Sequence, residues 1–189
     1  MEYRKCCLYT DALKHDWGTL TITNGGNTPN FGWRTLSSDE WAYLFITRTS
    51  GSTVSGTSNA RYTFATINTD NSGGVNGIIL FPDGVTIATS EATSWGYING
   101  GSIWGTKCTT AQWTVLAAKG CVFLPAAGCR QGLSVNSPGS VGRYWSSSSV
   151  TGNASNAYQV HFSSSSSFNP NHHYYRYYGQ SVRLVRDAE

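Results

Sequence analysis

Apolar residues recur along the chain in two rhythms, and the helical rhythm is written twice. In Leu36-Ser37-Ser38-Asp39-Glu40-Trp41, Ser37 is an N-cap and Glu40 stands at N3, which completes a capping box. Leu36 and Trp41 take the N′ and N4 places of a hydrophobic staple, and Leu44 and Phe45 continue the Trp41 face at i+3 and i+4. Cys108-Thr109-Thr110-Ala111-Gln112-Trp113 repeats the grammar, with Thr109 as cap, Gln112 at N3, Leu116 on the Trp113 face and Gly120 as a C′ stop. Membership of a staple assigns Trp41 and Trp113 to core packing rather than to a ligand platform.

The strand rhythm follows the helices. Gly77-Ile78-Ile79-Leu80-Phe81-Pro82 and Cys121-Val122-Phe123-Leu124-Pro125 are continuous apolar runs stopped by proline, the pattern of buried strands. Tyr158-Gln159-Val160-His161-Phe162 alternates, placing Tyr158, Val160 and Phe162 on one face and Gln159 and His161 on the other. Ser181-Val182-Arg183-Leu184-Val185-Arg186 reads as a closing strand. Arg183 and Arg186 follow apolar residues there, so at least one is expected to bind backbone carbonyls or an N-terminal carboxylate such as Asp83. Long Gly/Ser/Thr/Asn stretches, 46–61, 68–76, 83–106 and 131–157, separate these elements. The expectation is an α+β domain with two helices, a small, mostly antiparallel sheet and long loops of the kind that carry binding.

Charge narrows the chemistry. Residues 1–91 hold both signs, whereas from Ala92 to Arg186 there are seven Lys/Arg and no carboxylate. That removes paired-carboxylate hydrolysis and any carboxylate-built Ca²⁺ site from the C-terminal half. The basic residues there are scattered singly, which argues against nucleic acid. No apolar run approaches the roughly 18 residues of a membrane span. The opening MEYRKCCLYTDALK lacks an apolar core behind its basic residues, so no secretory signal is expected in this chain.

Cys6, Cys7, Cys108, Cys121 and Cys129 form neither a zinc spacing nor a regular disulfide framework, and mostly buried thiols are expected, with a Cys121–Cys129 bridge as the alternative. Gly51-Ser52-Thr53-Val54-Ser55-Gly56-Thr57-Ser58 has the outline of a phosphate loop but puts Thr57 where its lysine belongs. The serine-rich C-terminal region has no acid to orient a Ser-His-Asp triad. His15, His161, His172 and His173 read as contact or solvated residues, with zinc binding by His172, His173 and a cysteine the sharper alternative.

The stretch Tyr144–Tyr178 is different in kind. It is built almost wholly of Ser, Tyr, Asn, His, Phe and Gly, the palette of antibody combining loops, in which Tyr supplies rigid amphipathic area and Ser, Gly and Asn supply adaptable hydrogen bonds. His161, Phe168, His172, His173, Tyr174, Tyr175, Tyr177 and Tyr178 would make an exposed aromatic patch, and such patches mark interaction sites.

Trp33-Arg34-Thr35-Leu36, Asp39-Glu40-Trp41, Leu80-Phe81-Pro82-Asp83, Phe123-Leu124-Pro125-Ala126-Ala127-Gly128, Gly142-Arg143-Tyr144-Trp145-Ser146-Ser147 and Gly179-Gln180-Ser181-Val182-Arg183-Leu184-Val185-Arg186 occur in an order that resembles the variable proteins of diversity-generating retroelements. These belong to gut bacteria and their phages and have a C-type lectin-like fold. The resemblance implies an N-terminal extension over 1–16 and a variable domain over 17–189, with its hypervariable region at about 129–180. In that family an error-prone reverse transcriptase randomises adenines, and scrambled Asn codons never reach Lys, Glu, Gln, Met or Trp. Residues 146–178 contain no Lys, Glu, Met or Trp; Gln159 departs from the scheme, and Cys129 fits a diversified position.

The implied ligand-binding residues are Ser148, Ser149, His161, Ser165, Phe168, Asn171, His172, His173, Tyr174, Tyr175, Tyr177 and Tyr178, with Trp145, Val160, Phe162, Val182 and Leu184 as scaffold. The implied function is non-enzymatic binding of a macromolecular ligand, a protein or a cell-surface receptor, at a bacterial cell surface or on a phage particle. Asn169-Pro170 lacks the flanking acid of calcium-dependent sugar binders, so no metal or other cofactor is expected. The alternatives are a formylglycine-generating-type enzyme of the same fold group, which would need Cys121 and Cys129 as an active pair, and a non-diversified surface adhesin domain.

Overall fold

The structure is a computed structural model that describes residues 33–101, 104–165 and 167–186. Residues 1–16, expected as an N-terminal extension, lie outside the described residues together with Cys6, Cys7 and His15.

The described part opens with β1 (Arg34–Thr35) and α1 (Ser38–Ala42), which runs on as a π-helical turn (Tyr43–Thr47). β2 (Thr53–Val54), β3 (Thr57–Ser58), β4 (Tyr62–Ile67), β5 (Val75–Leu80) and β6 (Thr86–Ile87) follow. After a 3-10 turn (Thr89–Glu91) come β7 (Thr106–Lys107) and α2 (Thr110–Ala118). The C-terminal part holds β8 (Val122–Pro125), β9 (Cys129–Gln131), β10 (Ser134–Asn136), β11 (Val141–Ser149), β12 (Asn156–Ser163), β13 (Phe168–Tyr175) and β14 (Leu184–Val185). This is a mixed α/β chain of the α+β kind, with two short α-helices among the described residues.

Both helices start where their caps require. The Ser37 Oγ accepts the Glu40 N–H at 3.2 Å while the Glu40 carboxylate accepts the Ser37 N–H at 2.8 Å. Thr109 and Gln112 make the same reciprocal pair at 3.3 and 3.0 Å. Arg34 reinforces the first cap by giving two donors to Glu40, at 2.6 and 2.7 Å, and holds that carboxyl down to about 2. Gly120 takes the left-handed φ of +89° that ends α2. Where the pattern predicts a second α turn at Leu44 and Phe45, the chain widens into the π-helical turn. That geometry buries Phe45 and leaves Tyr43 and Ile46 exposed.

The central sheet runs β7-β4-β5-β8, antiparallel except for β4 with β7. Its middle strands are apolar on both faces because both faces are covered. Tyr62, Phe64, Ile78 and Leu80 point into one cluster, with Trp41 and Phe45 of the first helical segment; Ala65, Ile67 and Ile79 point into the other, with Leu116 of α2. Tyr144, Val160 and Phe162 complete the first cluster, so the C-terminal sheet β11-β12-β13 lies on that side with one face in the core.

Several expectations change. The single small sheet is divided into several: β1-β14, β9-β10 and β3-β2-β6 stand beside the two larger ones. The stretch 131–157, expected as loop, contains β10 and the nine-residue β11. The closing strand shrinks to Leu184–Val185, because Ser181 is first held by β11 and the chain then crosses to β1. The Ser181 N–H donates to Arg143 O at 3.1 Å and the Trp145 N–H to Ser181 O at 3.0 Å. Val182, assigned to the scaffold, is exposed, and on β11 it is Tyr144, 4% exposed, that enters the core while Trp145 is half-buried. Arg183 is exposed, and Arg186 lies over the Trp33 ring at 5.6 Å. Asp83 is taken instead by Arg48, a buried arginine that donates to its carboxylate at 2.8 Å and to Phe81 O at 3.0 Å. Among the described residues no helix is long and apolar enough to cross a membrane.

Candidate functional site

The candidate surface is the side of β11-β12-β13 that faces away from the core, with the turn that follows β13. Alternation sets it up. On β11, Gly142 and Tyr144 turn inward, so Arg143 and Trp145 turn outward; on β12, Val160 and Phe162 turn inward, so Gln159 and His161 turn outward. Cross-strand partners share a face, and the register pairs Arg143 with His161, Trp145 with Gln159, and Gln159 with His172.

A bulge then redirects β13. Between the pairs Gln159↔His172 and His161↔Asn169, β13 spends one more residue than β12. The extra residue switches parity. Phe168 faces the core on one side of the bulge, and His172 and Tyr174 share the His161 face on the other. His161 and His172 have ring centroids 5.4 Å apart, and Tyr174 lies over the Arg143 guanidinium at 4.4 Å. His173, Tyr158 and Asn156 occupy the opposite face at this end of the sheet; His173 bonds Asn156 at 3.1 Å.

The residues expected to bind fall into distinct places. His172 and Tyr174 are half-buried; Asn171, His173, Tyr175 and Tyr177 are exposed, Tyr177 at 67%. Tyr178 joins them through contacts of 4.8 Å to both Tyr174 and Tyr177, and Tyr177 stacks on Tyr175 at 5.3 Å, so the tyrosines form one continuous patch. Ser149 is exposed at the far end of β11, and Ser165 is exposed in the β12–β13 turn. Ser148 serves the fold, since its Oγ accepts the Ser38 N–H at 2.9 Å and ties β11 to the start of α1. Phe168, expected on the exposed patch, turns inward and packs on Phe45 and Tyr62 at 5.1 and 5.0 Å. It is scaffold.

Three residues of this face carry no mark in the sequence pattern as binding residues. Arg143 is the charged member of the face. Gln159, though on the outward side, is fully enclosed and its amide nitrogen meets His172 Nδ1 at 2.8 Å. Gln180 flanks the segment that lies along β11. The one signal for them is Gln159 itself, the residue that departs from the scrambled-codon pattern. Electrostatics follow from the crowding: burial, then the neighbouring Arg143 and His172, push His161 down to about 4, and burial, His173 and Arg143 lower His172. At neutral pH both imidazoles are uncharged beside a permanent guanidinium.

The cysteines lie elsewhere. Cys108, Cys121 and Cys129 are buried free thiols, and burial pushes Cys108 up to about 11 and Cys121 to about 12. Gly51–Ser58 forms a small β2–β3 hairpin. Among the described residues no three His, Cys, Asp or Glu side chains gather into a metal-binding group. The chain matches no family profile, no curated protein and no solved structure.

Proposed function

We propose that the protein is a non-enzymatic binding protein that presents the outward side of β12–β13 and the Tyr175–Tyr178 turn to a macromolecular ligand. The observation that carries this is the continuous run of half-exposed and exposed rings, His172 to Tyr178, on strands whose inward residues are locked into the core. Aromatic rings that do not pack inward contribute little to folding and much to contact. Following the resemblance, this surface is diversified by a retroelement on a C-type lectin-like scaffold, displayed on a bacterial surface or a phage particle. The pairing of β1 with β14, the two short helices and the long connections support that scaffold. The enzyme alternative is disfavoured, because Cys121 is a buried thiol with little thiolate at neutral pH.

The test is the neighbouring DNA. A template repeat that differs from the codons of residues 129–178 almost only at adenines, beside a reverse transcriptase gene, is the expected finding. Differences spread equally over the inward residues Val160, Phe162 and Phe168 would refute diversification.

A further inference from the structure

The outward face of the C-terminal sheet carries polar groups that the protein leaves unmet. Arg143 Nε and Nη1, Gln159 Oε1 and both amide heteroatoms of Gln180 are buried without a hydrogen-bond partner. Folded proteins pair nearly all such groups with protein or ordered water, so a cluster of unpaired ones marks this face as a polar site, and the guanidinium nitrogen that is not enclosed, Arg143 Nη2, is the one open to a partner. The charge pattern says which kind. Arg34 and Arg48 each meet a carboxylate, Glu40 and Asp83, whereas Arg143 stands in a stretch, Ala92 to Arg186, that contains no Asp or Glu. Its neighbours across the sheet are His161 and His172, both uncharged at neutral pH, and the Tyr174 ring. Among the described residues, the face therefore offers one fixed cation with hydrogen-bonding and aromatic groups around it, and no carboxylate that pairs with it.

Building on the binding reading above, we propose that Arg143 is a fixed anchor of the ligand face, receiving a side-chain carboxylate from an acidic segment of a protein partner while Tyr174 and His172 pack beside it. The anchor belongs to the scaffold. Gly142, directly before it, is paired with Phe162 across β11–β12, and Gly142 has no room for a side chain against that ring. A planar guanidinium suits a carboxylate, and a charge-assisted bond of this kind supplies orientation as well as affinity. The ring-rich surroundings then choose among acidic partners, which makes the pair a constant contact within a changeable surface.

A phosphate backbone is a poorer fit. Nucleic-acid binding draws on several cations in register. The nearby guanidinium groups are engaged at home: Arg130 Nε donates to Gly132 O at 3.0 Å and Arg176 Nε to Asn156 O at 2.8 Å.

The experiment titrates fluorescein-labelled hexaglutamate into the protein at low salt and follows anisotropy, with a short oligothymidylate as the phosphate comparator. Arg143→Gln is expected to weaken hexaglutamate binding by at least about tenfold, and Arg130→Gln by less than about twofold. Equal loss in the two variants, no binding by the unaltered protein, or preferred binding of oligothymidylate through Arg143 would each overturn the proposal. If Arg143→Gln fails to fold, the Arg143 Nε–H resonance of the unaltered protein decides: movement on adding hexaglutamate supports the anchor, and a fixed resonance overturns it. A His173→Ser/Tyr175→Ser/Tyr177→Ser variant separates this idea from the surface it rests on. Undiminished, Arg143-dependent binding in that variant keeps the anchor and breaks the wider ring surface. A displayed peptide selected on the protein that needs Tyr175 and Tyr177 but ignores Arg143→Gln keeps the surface and overturns the anchor.

Discussion

Gly142 is the position where a single methyl group should do most damage. It lies opposite Phe162 in the β11–β12 pair, and the Phe162 ring lies across its Cα where a side chain would stand, so a methyl built on Gly142 would overlap the ring. Phe162 has no free direction in which to move. It is fully buried and touches Phe64, Trp104 and Tyr144, with centroids 6.2, 6.4 and 6.2 Å away. Gly142→Ala must either shift β11 or evict the ring. Overpacking costs about 1–3 kcal/mol and loss of a buried Phe about 3–5 kcal/mol, so the expected cost is about 3 kcal/mol. For a chain of this size that is a fall in Tm of roughly 6–12 °C. The assay is a double-mutant cycle with Phe162→Ala, followed by urea unfolding. Once the ring is gone the methyl has space, so Gly142→Ala in the Phe162→Ala background should cost less than about 1 kcal/mol, a coupling of about 2 kcal/mol. A neutral Gly142→Ala, or strict additivity in the cycle, would show that the ring does not close over the glycine.

Other expectations follow from the same geometry. Arg48→Ala should cost about 3 kcal/mol, since it strands a buried carbonyl partner, whereas Asp83→Ala, whose side chain is 61% exposed, should cost under about 1 kcal/mol; equal costs by denaturant unfolding would refute this division of labour. Because His161 is held at about 4, below its unfolded value near 6.5, the unfolded chain takes up the proton first, and stability should fall as pH drops from about 6.5 towards 4. Glu40, lowered to about 2, loses its contribution only below about 4.5, so urea midpoints between pH 5 and 7 isolate the histidines, and His161→Asn should flatten that slope. Replacing exposed His173 and Tyr175 together by Ser should change stability by no more than about 0.5 kcal/mol, whereas Tyr144→Ala should cost about 3–5 kcal/mol and Trp145→Ala clearly less. The reverse order on calorimetry would return Trp145 to the core.

What can be read from sequence is what is decided locally. A capping box is complete within four residues, so α1 and α2 announce themselves through Ser37–Glu40 and Thr109–Gln112. The Tyr158–Phe162 alternation likewise needs no partner to be recognised. β11 and β13 are harder, since their Gly, Ser, Asn and His residues have weak strand preference and the bulge between Gln159 and His161 breaks the period. The choice between Tyr144 and Trp145 is a question of parity. Either aromatic suits a buried strand, and only the register with Val160 and Gln159 decides which one enters the core. Phe168 defeats the pattern for a similar reason: composition places it with the tyrosines, and its partner Phe162 places it in the core. The Arg48–Asp83 pair joins residues far apart in the chain, and no local pattern marks it.

The bulge also explains how one short strand can serve both fold and surface. Before it, Phe168 anchors β13 beneath Phe45, Tyr62 and Phe64. After it, His172 and Tyr174 are half-buried while His173 and Tyr175 are exposed. His172 and Tyr174 then stand on the Arg143 side, and His173 and Tyr175 on the other side with Tyr158 and Asn156. Consecutive residues from His172 to Tyr175 can all reach a ligand, which strict alternation on a sheet lying flat against a core would forbid. Substitution there removes contact area without removing core. The tolerance ends at Gln159, which is fully enclosed with its amide nitrogen against His172 Nδ1 at 2.8 Å, and at Arg143, whose backbone carbonyl holds Ser181. If the proposed anchor holds, such a surface can change its rings while keeping the Arg143 charge beneath them.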